Sequence, residues 1–178
     1  MSKNVPITAP TPLPAPAPTH AELGPLVGKR FGGCSIVGYI GEGPTGSVYR
    51  AQGGIDTAIA VKIMHRELSR REHADRLWRE LQTLNQLDSE HFLRVHERGF
   101  GPDGEFFYTM DEPSGVDLEA ALEESQAFAP KRALEVLDQV CEALTLAHAA
   151  GVIHGGLKPR NVFLVPSGGR LVIKVLGE

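Results

Sequence analysis

Three groups of residues in this sequence have the types and spacing to handle phosphate. The first is Gly41-Glu-Gly-Pro-Thr-Gly-Ser-Val48, a Gly-x-Gly-x-x-Gly-x-Val run. Glycines let backbone N–H groups approach phosphate oxygens with no Cβ in the way. The same spacing serves a plain glycine-rich hairpin, and a dinucleotide-binding turn requires a helix directly after the last glycine. Here Val48-Tyr-Arg-Ala51 follows and reads as a strand, which favours a hairpin. The second group is Lys62, alone among apolar residues in Ala58-Ile-Ala-Val-Lys-Ile-Met64. An unpaired ammonium is costly to bury, so Lys62 either points to solvent by alternation or meets an anion. The third is Val152-Ile-His-Gly-Gly-Leu-Lys-Pro-Arg-Asn-Val-Phe-Leu164, which sets His154, Lys158 and Asn161 in one short loop ahead of an apolar strand.

Together these stretches resemble the protein kinases, in a version similar to the eukaryotic-like serine/threonine kinases of bacteria. The resemblance runs from about residue 31 to the end. The loop keeps the frame His…Leu-Lys-Pro-x-Asn at His154, Leu157, Lys158, Pro159 and Asn161. It departs at Gly155, where the family has Arg, and at Gly156, where the family has its catalytic Asp. Ile173-Lys-Val-Leu176 resembles the strand before Asp-Phe-Gly, which places Gly177 at the metal-binding Asp and Glu178 at the Phe. For Glu178 to replace that Asp, the strand would have to slip by one residue.

The resemblance implies a role for each matching residue. Gly41, Gly43 and Gly46 cover the phosphates of ATP, and Lys62 holds the α/β-phosphates. Glu80 of the following helix pairs with Lys62; Glu67 and Glu72 compete for that lysine. Val48, Ala60 and Phe163 wall the adenine, Met110 is the gatekeeper, and Asp111-Glu-Pro113 is the hinge. Pro113 stands where the family offers a hinge N–H, so one adenine hydrogen bond worth about 0.5–1.5 kcal/mol is lost. Asn161 alone remains of the metal ligands, which leaves Mg2+ poorly held. A base missing at Gly156 removes about 10²–10⁴-fold of assistance. The implied protein is a pseudokinase that binds nucleotide weakly and regulates by binding proteins in phospho-signalling. The alternatives are a serine/threonine kinase with residual activity, and a nucleotide-independent interaction module or decayed fragment.

The elements that must position these residues give an α+β fold: a kinase-like N-lobe of a five-stranded antiparallel sheet plus one helix, followed by only the start of a helical C-lobe. Strands are expected over 31–40, 48–51, 58–64, 92–100 and 105–110, the last two joined by the turn Gly101-Pro-Asp-Gly104. Ala74, Leu77, Trp78, Leu81, Leu84 and Leu87 recur at helical spacing within 69–87. A short helix is expected over 116–124. A longer one is expected from Pro130 to Ala149, with proline in its first turn, Gly151 as its stop, and an apolar face of Ala133, Leu134, Leu137, Val140, Cys141, Leu144 and Ala147. Residues 162–165 and 171–176 read as a hairpin. The lobes divide as 28–110, a hinge at 111–115, and 116–178.

Residues 1–27 carry seven of the thirteen prolines and read as an extended or unstructured tail. It is either a docking strip for a proline-recognising groove or a solvated leader. The net charge of −4 gives no footprint for nucleic acid or an acidic membrane. No apolar run is long enough to span a bilayer, and no secretory leader is visible. Cys34 and Cys141 stand far apart and read as small buried hydrophobes, which fits a reducing, cytoplasmic setting. No activation segment follows Glu178. Part of helix 130–149 is therefore expected to lack cover and to meet a protein partner or a second copy, unless the chain is a decayed product or has lost its continuation.

Overall fold

The computed structural model describes residues 24–53, 58–125 and 127–177. The prolines before residue 24 and Glu178, the expected tail and the conceivable metal substitute, lie outside them.

A six-stranded antiparallel sheet forms the first lobe. Its strands are β1 (Arg30–Phe31), β2 (Cys34–Gly43), β3 (Gly46–Gln52), β4 (Ile59–Met64), β5 (Val95–Phe100) and β6 (Phe106–Asp111), in the order β1-β2-β3-β4-β6-β5. The segment expected to be one strand from Phe31 is divided by Gly32, which turns the chain at φ +58° and folds Phe31 back against Cys34. That adds the sixth, two-residue strand to the five expected.

β4 lies between β3 and β6 and is buried at every residue, which explains an apolar run interrupted only by Lys62. Its period of two splits it between two cores. Ile59, Val61 and Ile63 join Phe31, Ile36, Tyr49 and Phe107 on one face. Ala60 and Met64 join Phe106, Tyr108 and Met110 on the other, where α1 (Arg71–Asn85) packs through Ala74 and Leu81. Lys62 belongs by alternation to this second, helix-covered face, and not to solvent.

Asn85 at the end of α1 accepts from the Val95 N–H and donates to the Val95 carbonyl, both at 3.1 Å, so helix and β5 are tied in register. β5 begins at Val95, three residues later than expected. Phe92 instead forms a parallel bridge with Val175 of the second lobe.

The second lobe begins with β7 (Val116–Asp117) and α2 (Leu118–Ser125). The helix expected from Val116 starts two residues later because Val116 and Asp117 pair with Leu164 and Phe163. Asp117 then caps the helix through the Ala120 N–H at 2.9 Å. α3 runs over Pro130–Ala149, and β8 (Val162–Ser167) pairs with β9 (Arg170–Val175).

The buried stripe of α3 is Val136, Val140, Ala143 and Ala147, against Val162, Leu164, Ile173 and Val175 or, for Ala147, Leu84 and Val152. Of the expected apolar face, Val140 and Ala147 are buried and Leu144 packs beside them, while the part expected to lack cover is the end that carries Leu134 and Leu137. Leu134 and Leu137 are 60% and 57% exposed, and Cys141 is exposed, contrary to its expected burial. Cys34 is buried, and its thiol is pushed up by desolvation first, then by the charge of Glu97 and a hydrogen bond to it.

Candidate functional site

Between the lobes lies a cleft of about 630 Å³. Its roof is the β2–β3 hairpin from Ile40 to Gly46 together with Val48. Its floor is the loop at 158–161 with Phe163 and Leu176, and α2 supplies Glu119, Ala120 and Glu123 at one side. Nine of the sequence-derived site residues line it: Gly41, Gly43, Gly46, Val48, Lys62, Pro113, Lys158, Asn161 and Phe163.

The three hairpin glycines have different physical reasons to be glycine. A Cβ on Gly46 would lie 2.1 Å from the Ile63 carbonyl oxygen, so the close approach of β3 to β4 demands glycine there. At Gly41 a Cβ would meet nothing within 4 Å, and at Gly43 only the Gly46 carbonyl at 4.0 Å. Packing does not require these two. Their bare backbone leaves the roof open to a ligand.

Lys62 is 3% exposed, and its Nζ lies 3.4 Å from the Gly177 carbonyl. The Tyr108 hydroxyl donates to that same carbonyl at 3.3 Å. The expected Lys62–Glu80 pair is not formed. Glu80 instead accepts from Arg76 Nε at 2.9 Å on its own helix and does not line the cleft. Arg76 stands four residues before Glu80, so the competing partner was present in the sequence.

The loop is held by its backbone. His154 Nε2 lies 2.9 Å from the Leu176 carbonyl, and the Gly156 N–H donates to His154 Nδ1 at 3.3 Å. With Nδ1 accepting, the ring is the Nε2–H tautomer. Asn161 is buried and donates through Nδ2 to the Gly156 carbonyl at 2.9 Å, while its own carbonyl accepts from the Leu176 N–H at 2.8 Å. Gly155 sits at φ +72°, where a side chain is strained. His154, Gly156 and Gly177 do not line the cleft; His154 and Gly177 line a separate small pocket with Glu80 and Leu81.

The hinge is pinned from both sides. Asp111 meets His96 Nε2 at 2.8 Å, and Glu112 takes a two-pronged bond from Arg50, with Nη2 at 2.7 Å and Nε at 2.8 Å from one oxygen. That carboxylate raises the Arg50 guanidinium further above its ordinary range. Ala60 and Met110 are fully buried in the core against which Val48 and Phe163 pack, and neither lines the cleft.

The charges at the cleft are mixed. Lys62, Lys158 and Arg160 face Glu42, Asp117, Glu119 and Glu123. Sequence reading had passed over Arg160, which is bonded to Glu119 and held charged by it, and over the acids. A nucleotide fits this donor set: bare glycine backbone above, lysines at the phosphate end, and apolar walls. Mg2+ does not fit. Position 177 carries no side chain, and among the described residues no cluster of three His, Cys, Asp or Glu could hold a metal. Among them, too, no helix is long and apolar enough to cross a membrane.

A family model described as "Protein kinase domain" matches residues 34–176. The serine/threonine-protein kinase PknH of Mycobacterium tuberculosis (strain ATCC 25618 / H37Rv) is 33% identical over 140 residues, which are 78% of this chain and 22% of that protein. PknE of Mycobacterium bovis (strain ATCC BAA-935 / AF2122/97) is 34% identical over 140 residues, 77% of this chain and 24% of that protein. The chain thus spans less than a quarter of the length of these curated relatives. The crystal structure of the Mycobacterium tuberculosis PknI kinase domain superposes with a TM-score of 0.71 at 29% identity, covering 85% of this chain and 61% of that one.

Proposed function

The chain belongs to the protein kinase domain family, and we propose that within it this protein is a pseudokinase, a module that binds nucleotide weakly in its cleft, transfers no phosphate, and regulates phospho-signalling by binding proteins. One observation carries the reading. Asn161 holds the loop by its bond to the Gly156 carbonyl, yet position 156 has no side chain to take a proton. The loop's shape is kept and its base is gone, at a cost of about 10²–10⁴-fold in general-base assistance. ATP, when bound, supplies the group that a kinase transfers. The hairpin glycines, Lys62 and Lys158 would hold its phosphates, and Val48 and Phe163 would flank its base. With Pro113 in the hinge and no carboxylate at 177, binding is weak and gains little from Mg2+.

Purified full-length chain in a phosphotransfer assay tests this reading, with thermal melts in ATP with and without Mg2+. The expected result is no incorporation above that of a Lys62→Met control, and a metal-independent melting shift that Lys62→Met abolishes. Incorporation that disappears in Lys62→Met overturns it in favour of the second reading, a kinase with residual activity. That reading draws support from Lys62, Lys158 and Asn161 sharing one cleft. The exposed Leu134 and Leu137 support contact of α3 with a protein partner or a second copy. Sedimentation of wild type against Leu137→Glu tests the second copy; identical mass at all concentrations removes self-association.

A further inference from the structure

The tip of the glycine hairpin is not left free over the cleft. His65, the residue after β4, reaches back to it. Its Nε2 lies 3.0 Å from the Gly43 carbonyl, and its backbone N–H donates to the Thr45 carbonyl at 2.9 Å. Glu42 Oε1 is 3.9 Å from the same ring nitrogen. The base of this contact is rigid. The His65 carbonyl accepts from the Leu68 N–H and from the Ser69 hydroxyl, each at 3.0 Å, and Ser69 Oγ accepts the Phe106 N–H of β6 at 2.9 Å. A chain of bonds therefore runs from the start of β6 through Ser69 and His65 to the hairpin. Gly46 completes the attachment by its close approach to Ile63 and Met64.

The two sides of the tip are held differently. The β3 side is fixed by strand pairing to β4 and by the main-chain bond to Thr45. The β2 side, Gly41–Gly43, pairs only with β3, Gly41 opposite Val48 and Gly43 opposite Gly46, and carries the two glycines that packing does not require. Beyond that pairing, the imidazole bond to Gly43 ties this side directly to the segment that follows β4. We propose that His65 is a positioning residue that latches the β2 side of the glycine hairpin over the cleft and so sets the height of the phosphate-facing roof. Nε2–H donates to the Gly43 carbonyl, and Glu42 sits where it favours that tautomer. The consequence for ligand binding rests on the cleft being the nucleotide site; the latch itself does not.

Amide hydrogen exchange by NMR on the full chain tests it in wild type, His65→Ala and His65→Gln. Glutamine can place an amide N–H where Nε2–H was. We expect exchange at Gly43, Thr45 and Gly46 to rise about three- to tenfold in His65→Ala, with Val61 and Thr109 in the central strands unchanged, and to return to within about twofold of wild type in His65→Gln. The Kd for ATP is expected to rise by a similar factor in His65→Ala and not in His65→Gln. Unchanged tip exchange in His65→Ala, or the same rise in both variants, overturns the proposal. If wild type binds no nucleotide, the function proposed above fails, while the exchange comparison still decides the latch. If His65→Ala does not fold, the ring 15N shifts of wild-type His65 decide. An Nε2–H tautomer is expected, and an Nδ1–H tautomer refutes the donation to Gly43.

Discussion

Replacing Glu80 by glutamine separates two accounts of the buried lysine. If Glu80 were the counter-ion of Lys62, the substitution would leave an ammonium that is 3% exposed without its partner. Breaking a buried pair in that way costs about 3–5 kcal/mol. For a domain of this size about 1 kcal/mol corresponds to about 2–4 °C in melting temperature, so the drop would be at least about 6 °C. In the structure Glu80 pairs with Arg76 one helical turn away, with side chains 32% and 75% exposed. A solvent-screened i,i+4 pair is worth about 0.3–0.5 kcal/mol, which gives a drop of about 1–2 °C. Thermal unfolding of Glu80→Gln, Arg76→Ala and the double variant measures this. We expect a small loss in each single variant and a coupling of about 0.3–0.5 kcal/mol between them. A loss above about 6 °C refutes the assignment. So does an ATP-induced shift that vanishes in Glu80→Gln, because it would show ligand-bound protein using Glu80 after all.

Four other outcomes follow from particular contacts. Gly46→Ala drives a Cβ to 2.1 Å from the Ile63 carbonyl and should destabilise by about 1–3 kcal/mol in urea unfolding, while Gly41→Ala, with open space around it, should stay within about 0.5 kcal/mol. Brief iodoacetamide treatment of native protein should add one label, at exposed Cys141, and a second only on unfolding, because Cys34 is buried and its thiol pushed up; mass spectrometry reads the count. Leu134→Glu should leave the melting temperature within about 2 °C, since that side chain is 60% exposed. Gly156→Asp alone should leave phosphotransfer at background, because position 177 still offers a metal no carboxylate; transfer in that variant would show that the base was the only loss.

The cleft was largely legible because its parts are short local patterns. Gly41 to Gly46 requires a backbone that approaches something closely, Lys62 is a lone charge in an apolar strand, and the loop at 154–161 has an order of residues that resembles one family. The structure brings those segments to one cavity. The bounds of α3 were legible for the same reason: Pro130 opens a helix and Gly151 closes it. Less was legible where one residue chooses among distant neighbours. The face of α3 was legible in part, at Val140, Leu144 and Ala147; which of the equally apolar Leu134 and Val136 is covered is decided only by the position of β8 and β9. The division of the first strand depended on the turn at Gly32, whose left-handed φ leaves no mark beyond the glycine itself.

The sequence by itself determined which strands are buried, where the glycine hairpin must bend, and that no side chain stands at 156 or 177 to act as base or metal ligand. These are properties of single residues and of their spacing along one element. The tertiary structure alone decided the partners: Lys62 beside the Gly177 carbonyl, Glu80 beside Arg76, and His65 beneath Gly43. Each joins groups by a distance of about 3 Å, and such a distance is set by how whole elements pack, not by the residues on either side of it in the chain.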